Sequence, residues 1–227
     1  MPKISYNTCM QIQYFGLSSF KITTKEATII TDPFHKDSGL VPPRGNADIL
    51  ILAEKNKKLY TAVSGISGEH FDITDPGEYD LKGVTVIGIP LKQESGYVTV
   101  FLIESEDIRV LNLTHIKEFN LNEEELESLG EIDILILPVG GNAVMSASVA
   151  AKAVNEIEPK IVIPSHYKMS RGAGSASGGN DLILDLDAID KFIKEMGGKK
   201  EEMEKLSIKK KDLPEEGTKV IVLEPLR

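Results

Sequence analysis

Ala47–Tyr60, ADILILAEKNKKLY, joins two unlike pieces. Ile49 to Leu52 is a short apolar run, the pattern of a buried strand. A polar loop, Glu54 to Lys58, follows at once. In α/β proteins the loop at a strand's carboxyl end is where ligands and catalysts sit. This loop carries three lysines, one glutamate and one asparagine, and no histidine, aspartate, cysteine or serine. It stands in the position of an active-site loop without the usual side chains of one.

Outward from that stretch the chain reads first as strands. MQIQYFG and SSFKITT alternate, and ATIITDPF is a short apolar run ending in Asp-Pro. GLVPPRGNA is a Pro/Gly loop. AVSGISGEHFDITDPGEYDLKGVTVIGIP breaks into short strands at Gly and Pro turns. YVTVFLIES and IRVLNLT, parted by EDI, read as a hairpin. Beyond them the period changes. NLNEEELESLG has an Asn N-cap, acids in the first turn and a closing Gly, so it reads as a short helix. EIDILILPVGG and IVIPSHY are buried strands. SASVAAKAVNEIEPK is an Ala-rich helix closed by Pro159, LDLDAIDKFIKEMGG an amphipathic helix with a Gly stop, and TKVIVLEP a final strand. No repeat period and no linker composition appear, so residues 1–227 are expected to form one domain. SRGAGSASGGN, Ser170 to Asn180, lacks the Gly-Lys-Ser/Thr phosphate signature and reads as a surface loop or lid.

Of the 227 residues 41% are hydrophobic, enough for a sizeable core. Lys+Arg number 26 and Asp+Glu 35, a net charge of −9. That balance opposes a nucleic-acid surface, which needs a basic patch to displace counterions. The single cysteine, Cys9, forms no internal disulfide and fits a reducing compartment. With no basic-then-apolar start and no apolar run near ~20 residues, the expectation is a cytoplasmic protein off the membrane.

Six stretches taken together, YFGLSSFKI, IITDPF, ADILIL, DPGEYDLKGVTVIGIP, EIDILILPVGG and EIEPKIVIPSHYK, resemble metallo-β-lactamase-fold hydrolases, in order along nearly the whole chain. The branch they resemble most contains sugar-lactone hydrolases. The resemblance implies an α/β, four-layer αββα sandwich of two mixed sheets flanked by helices, with the site at one edge. It also implies one or two metal ions held by a His-x-His-x-Asp-His loop after the ADILIL strand. Imidazoles and carboxylates hold such ions while leaving a position for water, whose pKa the metal lowers to roughly 7.

Laid on that pattern, this chain departs from it. The two alternate histidines fall on Glu54 and Asn56, the aspartate on Lys58 and the next histidine on Leu59. A further histidine falls on Gln93, the bridging aspartate on His115, and an early histidine on Leu17. His166 keeps the family's late histidine. The expectation drawn is a degenerate site with no metal ligand set and no cofactor. In it Lys58 or a neighbouring lysine pairs with Glu54 or Asp32 in place of the ion. Asp32, Asn56, Lys58 and Gln93 would then line a former-site pocket. The corresponding function is a non-catalytic binding or interaction protein for a small molecule or protein, with pairing of exposed sheet edges into a homo-oligomer. The alternative is a hydrolase of a small ester, lactone or phosphoester. It would use His166, His115 and Glu54 as acid and bases, or as holders of one weakly bound divalent ion. Asp32 also suits a turn cap before Pro33, and His35, His70 and Cys9 lack the neighbours that mark a site.

Overall fold

A computed structural model describes residues 9–94, 96–169 and 184–226, so the segment Ser170 to Asn180 lies outside the described residues. Two sheets share one core. The six-stranded sheet holds β1 (Met10–Gly16), β2 (Ser19–Thr23), β3 (Thr28–Thr31), β5 (Ile49–Ile51), β7 (Phe71–Ile73) and β15 (Leu206–Ile208), in the order β15-β1-β2-β3-β5-β7. The eight-stranded sheet holds β8 (Gly77–Leu81), β9 (Val84–Gln93), β10 (Gly96–Ser105), β11 (Ile108–Asn112), β12 (Ile134–Pro138), β13 (Ile161–Ser165), β14 (Glu201–Met203) and β16 (Lys219–Leu223). Its order is β14-β16-β13-β12-β11-β10-β9-β8. β4 (Gly45–Asn46) and β6 (Ile66–Ser67) make a small parallel pair.

The local patterns explain the elements. In β1 buried and half-buried residues alternate, one face on the core and one towards the surface. β12 and β13 are buried at every position, as strands of a covered parallel sheet must be. The β10–β11 hairpin turns through Glu106 and Asp107, both left-handed, with φ of 56° and 62°. That is the twist-matching geometry of a two-residue hairpin. Asn122 caps α1 (Glu123–Leu129) in a reciprocal box with Glu125, and Ser146 caps α2 (Ala147–Ile157). Ile12, Phe20, Ile29 and Ile49 from one sheet join Val86, Val100, Leu111 and Ile136 from the other in a single apolar cluster. This is the expected mixed α/β two-sheet architecture.

Two details differ from expectation. Among the described residues the α-helices all lie in the second half of the chain; Ile30 and Leu50 of the first sheet, with Leu52 just past β5, pack instead with Ala47 and Ile66 beside the β4–β6 pair. The stretch LDLDAIDKFIKEMGG is helical only over α3 (Asp190–Glu195). Its first half is extended: the Asp187 amide donates to the Gly140 carbonyl, and the Asp187 carbonyl accepts from Lys168 N–H. Two tertiary backbone bonds there outweigh a helical preference worth only tenths of a kcal/mol per residue. No helix among the described residues is long and apolar enough to cross a membrane.

β3 and β5 run parallel, as do β11, β12 and β13. Their carboxyl ends bring Asp32, Glu54, His115 and His166 into one cluster.

Candidate functional site

Four non-glycine residues take left-handed backbone at strand ends around this cluster: Leu17 (φ 50°), Asp32 (38°), Thr114 (52°) and His166 (53°). Each costs of order 1–3 kcal/mol and persists only where its surroundings over-determine it. Those surroundings are visible. Asp32 N–H donates to Ile51 O at 2.8 Å, and the His166 amide donates to Leu17 O at 2.9 Å. The Thr114 amide donates to the Asn112 side chain at 2.9 Å. Gly140 belongs to the same construction: a Cβ there would meet the His166 carbonyl oxygen at 2.0 Å, so the residue beneath His166 has to be glycine.

Asp32 is fully buried. Its Oδ1 accepts from the Ala53 amide at 2.8 Å, while Oδ2 has no hydrogen-bond partner among the described residues. Burial pushes its pKa up to about 6, against the pull of His115 and the Ala53 amide. His115 Nε2 bonds to Glu54 Oε2. Its Nδ1 has no hydrogen-bond partner among the described residues and faces Asp32 Oδ2 at 4.0 Å. Burial raises Glu54, but the bonds to His115 and Lys57 outweigh it and hold the carboxyl at about 2. Lys57 Nζ lies 2.5 Å from Glu54, one turn along the loop.

His166 is also fully buried, and its Nε2 lies 3.1 Å from the Tyr60 hydroxyl. Its Nδ1 has no partner among the described residues. Burial, reinforced by His115 and Lys57, holds His166 well below the usual imidazole range, so the ring is neutral at pH 7. Tyr60 stacks on His115 with centroids 4.5 Å apart and planes 16° from parallel. Burial, with Asp32 and Glu54 nearby, raises its hydroxyl pKa and keeps the phenol protonated. Leu17, Phe34, Leu40, Val144 and Leu186 pack with Tyr60 in a separate apolar cluster that walls one side of the site.

The remaining sequence-derived residues fall elsewhere. Asn56 and Lys58 are exposed; the lysine that pairs with Glu54 is Lys57, not Lys58. Gln93 is buried, but its amide serves the backbone. Oε1 accepts from Lys117 N–H and Glu118 N–H at 2.9 Å, and Nε2 donates to Glu118 O at 3.0 Å. Gln93 thus ties down the segment that follows His115. Tyr60 had no mark in the sequence, since an aromatic after Leu59 carries no motif, and Lys57 entered only as a lysine neighbouring Lys58. The i,i+3 spacing from Glu54 is the one local hint for Lys57.

Among the described residues no three His, Cys, Asp or Glu side chains already close around one point. The donor chemistry nonetheless suits a divalent ion. Asp32 Oδ2, His115 Nδ1 and His166 Nδ1 are buried and have no hydrogen-bond partner among the described residues, and an unpaired buried polar atom is costly.

A sequence profile described as "Beta-lactamase superfamily domain" matches residues 11–166. A protein of Pyrococcus horikoshii named "UPF0173 metal-dependent hydrolase" is 27% identical over 128 residues, which span 52% of this chain and 57% of that protein. One of the same name from Alkaliphilus metalliredigens is 27% identical over 193 residues, spanning 70% and 85%. The crystal structure of a Thermotoga maritima protein, assigned as a Zn-dependent hydrolase of the metallo-β-lactamase superfamily, superposes with a TM-score of 0.78 at 28% identity. It covers 96% of this chain and 100% of the other. These relatives overturn two expectations, the absence of any cofactor and the non-catalytic binding protein: proteins similar to this one are metal-dependent hydrolases by name. The physical reason for the error lies in the 54–60 loop. That loop lacks the expected ligands, but the buried donor atoms come from the ends of β3, β11 and β13.

Proposed function

The chain belongs to the β-lactamase superfamily domain family, and from that premise we propose that it is a metal-dependent hydrolase of a small ester, lactone or phosphoester, with one ion held by Asp32, His115 and His166. The observation that carries this reading is the set of three buried donor atoms, without hydrogen-bond partners among the described residues, at strand ends whose backbone is held left-handed. Strain of that kind clusters at working sites. A divalent ion bound there supplies Lewis acidity towards a carbonyl or phosphoryl oxygen and acidifies water.

The chain's own residues position and insulate. Asp32 is aimed by the Ala53 amide on Oδ1, leaving Oδ2 for the ion. Glu54 stays anionic at neutral pH, orients the His115 ring through Nε2 and balances positive charge beside it. Lys57 steadies Glu54 from the solvent side. Neutral His166 is ready to ligate without losing a proton. The Leu17, Phe34 and Leu186 wall keeps bulk water from one flank. A small-molecule substrate suits the net charge of −9, which disfavours nucleic acid. The resemblance to sugar-lactone hydrolases puts lactones first among substrates to try.

The test is metal content after reconstitution with Zn²⁺, Mn²⁺ or Fe²⁺, with turnover on a panel of lactones, esters and phosphodiesters. About one ion per chain is expected. His115→Ala should remove most of it and lower turnover by ~100-fold or more. No retained ion, or turnover unchanged in His115→Ala, would refute the proposal.

A further inference from the structure

In the pattern this chain resembles, the loop after β5 supplies metal ligands. Here it reaches the site with only two groups, the Glu54 carboxylate and the Tyr60 hydroxyl, and each meets a histidine on the same ring atom. Glu54 Oε2 bonds to Nε2 of His115, and Tyr60 Oη lies 3.1 Å from Nε2 of His166. The opposite nitrogen, Nδ1, is buried in both rings and has no hydrogen-bond partner among the described residues. The Tyr60 ring also lies flat on His115, 4.5 Å between centroids, and edge-on to His166 at 5.7 Å. One seven-residue loop therefore sets a nitrogen of each ring and the plane of one.

We infer that the Glu54–Tyr60 loop is a tautomer clamp, in which Glu54 and Tyr60 accept the Nε2 protons of His115 and His166 so that both imidazoles offer Nδ1 to the ion. The inference rests on the metal-dependent reading above. It places Glu54 and Tyr60 one layer out from the ion, as positioning residues. A ligating histidine gives its other ring N–H to a carboxylate, carbonyl or similar acceptor, and this partner fixes the tautomer and raises ligand basicity. Both partners carry an oxygen that can accept. The Glu54 carboxylate offers only lone pairs and also pairs with Lys57 Nζ at 2.5 Å. The Tyr60 oxygen offers lone pairs, and the apolar cluster around its ring anchors it. The rewritten loop thus retains a role at the centre without contributing a ligand to it.

The experiment is long-range ¹H–¹⁵N correlation on protein labelled with ¹⁵N-histidine. Spectra are taken metal-free at about pH 9, where imidazoles are ordinarily neutral, and again with one equivalent of Zn²⁺. Both rings should carry their proton on Nε2 before zinc, and zinc should shift the Nδ1 resonances while the Nε2 protons remain. Tyr60→Phe keeps the stacked ring and removes the acceptor. It should mix the tautomers of His166 alone and weaken zinc binding by ~10–100-fold. Glu54→Gln keeps an acceptor and should preserve the His115 tautomer that Glu54→Ala loses. Zinc bound through Nε2, or a His166 tautomer unchanged in Tyr60→Phe, overturns the clamp and leaves the metal-dependent reading standing. A wild-type protein that retains no zinc overturns both.

Discussion

Replacing Asp32 with asparagine should make the metal-free protein more stable at neutral pH. In the folded chain Asp32 titrates at about 6, against an ordinary value of 3.8, because burial disfavours its charged form. A folded pKa above the unfolded one means that the native state binds more protons between the two values. Stability is then greatest below pH ~4 and falls as pH rises through ~6. The displacement, 6 − 3.8 = 2.2 units at 1.36 kcal/mol each, is about 3 kcal/mol. The side chain is fully buried, so solvent screening takes little from this figure. Asparagine keeps an Oδ1 acceptor for the Ala53 amide and carries no charge at any pH. In urea unfolding of chelator-treated protein, the two forms should therefore be nearly equal at about pH 4. Asp32→Asn should be more stable by about 3 kcal/mol at about pH 8. A gap that stays flat with pH, or a variant less stable at pH 8, would refute the claim that an uncompensated carboxylate is stored at the end of β3. A gap of this kind would also explain why the charge is kept: stability is given up for a ligand.

Zinc should reverse the same deficit. At ~100 times its dissociation constant it should stabilise the wild type by about 2.7 kcal/mol and Asp32→Asn by much less, read as a shift in urea midpoint. Gln93→Ala removes three backbone bonds that hold the segment after His115. At 0.5–1.5 kcal/mol each, the cost should be ~2–4 kcal/mol in urea unfolding, with weaker zinc binding. Gly140→Ala puts a methyl 2.0 Å from the His166 carbonyl. It should cost ~1–3 kcal/mol and lower turnover, whereas a mutation equally destabilising but remote should not affect turnover per folded molecule. Asn122→Ala is such a control: it breaks the α1 capping box, for about 1 kcal/mol by thermal unfolding, with turnover unchanged.

The elements of this protein were readable because they depend on neighbours in sequence. The alternation in MQIQYFG, the unbroken apolar runs of ILILP and IVIPS, and the Asn122 and Ser146 caps each report a face or an end within a few residues. The exception is LDLDAID, where the amphipathic pattern suggested a helix and backbone bonds to Gly140 and Lys168 made an extended segment. Those partners lie too far along the chain for a periodicity to register.

The site divides in the same way. Sequence alone determined that AEKNKKLY lies at a strand end and carries no histidine or aspartate. It also singled out His115 and His166 as candidate acid, base or weak ligand residues, and Asp32 as pocket lining or a turn cap. Tertiary structure decided what the loop does. Glu54 meets His115 across 61 residues and Tyr60 meets His166 across 106. Gln93, expected to line a pocket, instead braces the backbone 24 residues on. Which nitrogen of a buried imidazole is pinned, and which is left free, depends on packing between two sheets, and a linear pattern holds no trace of it.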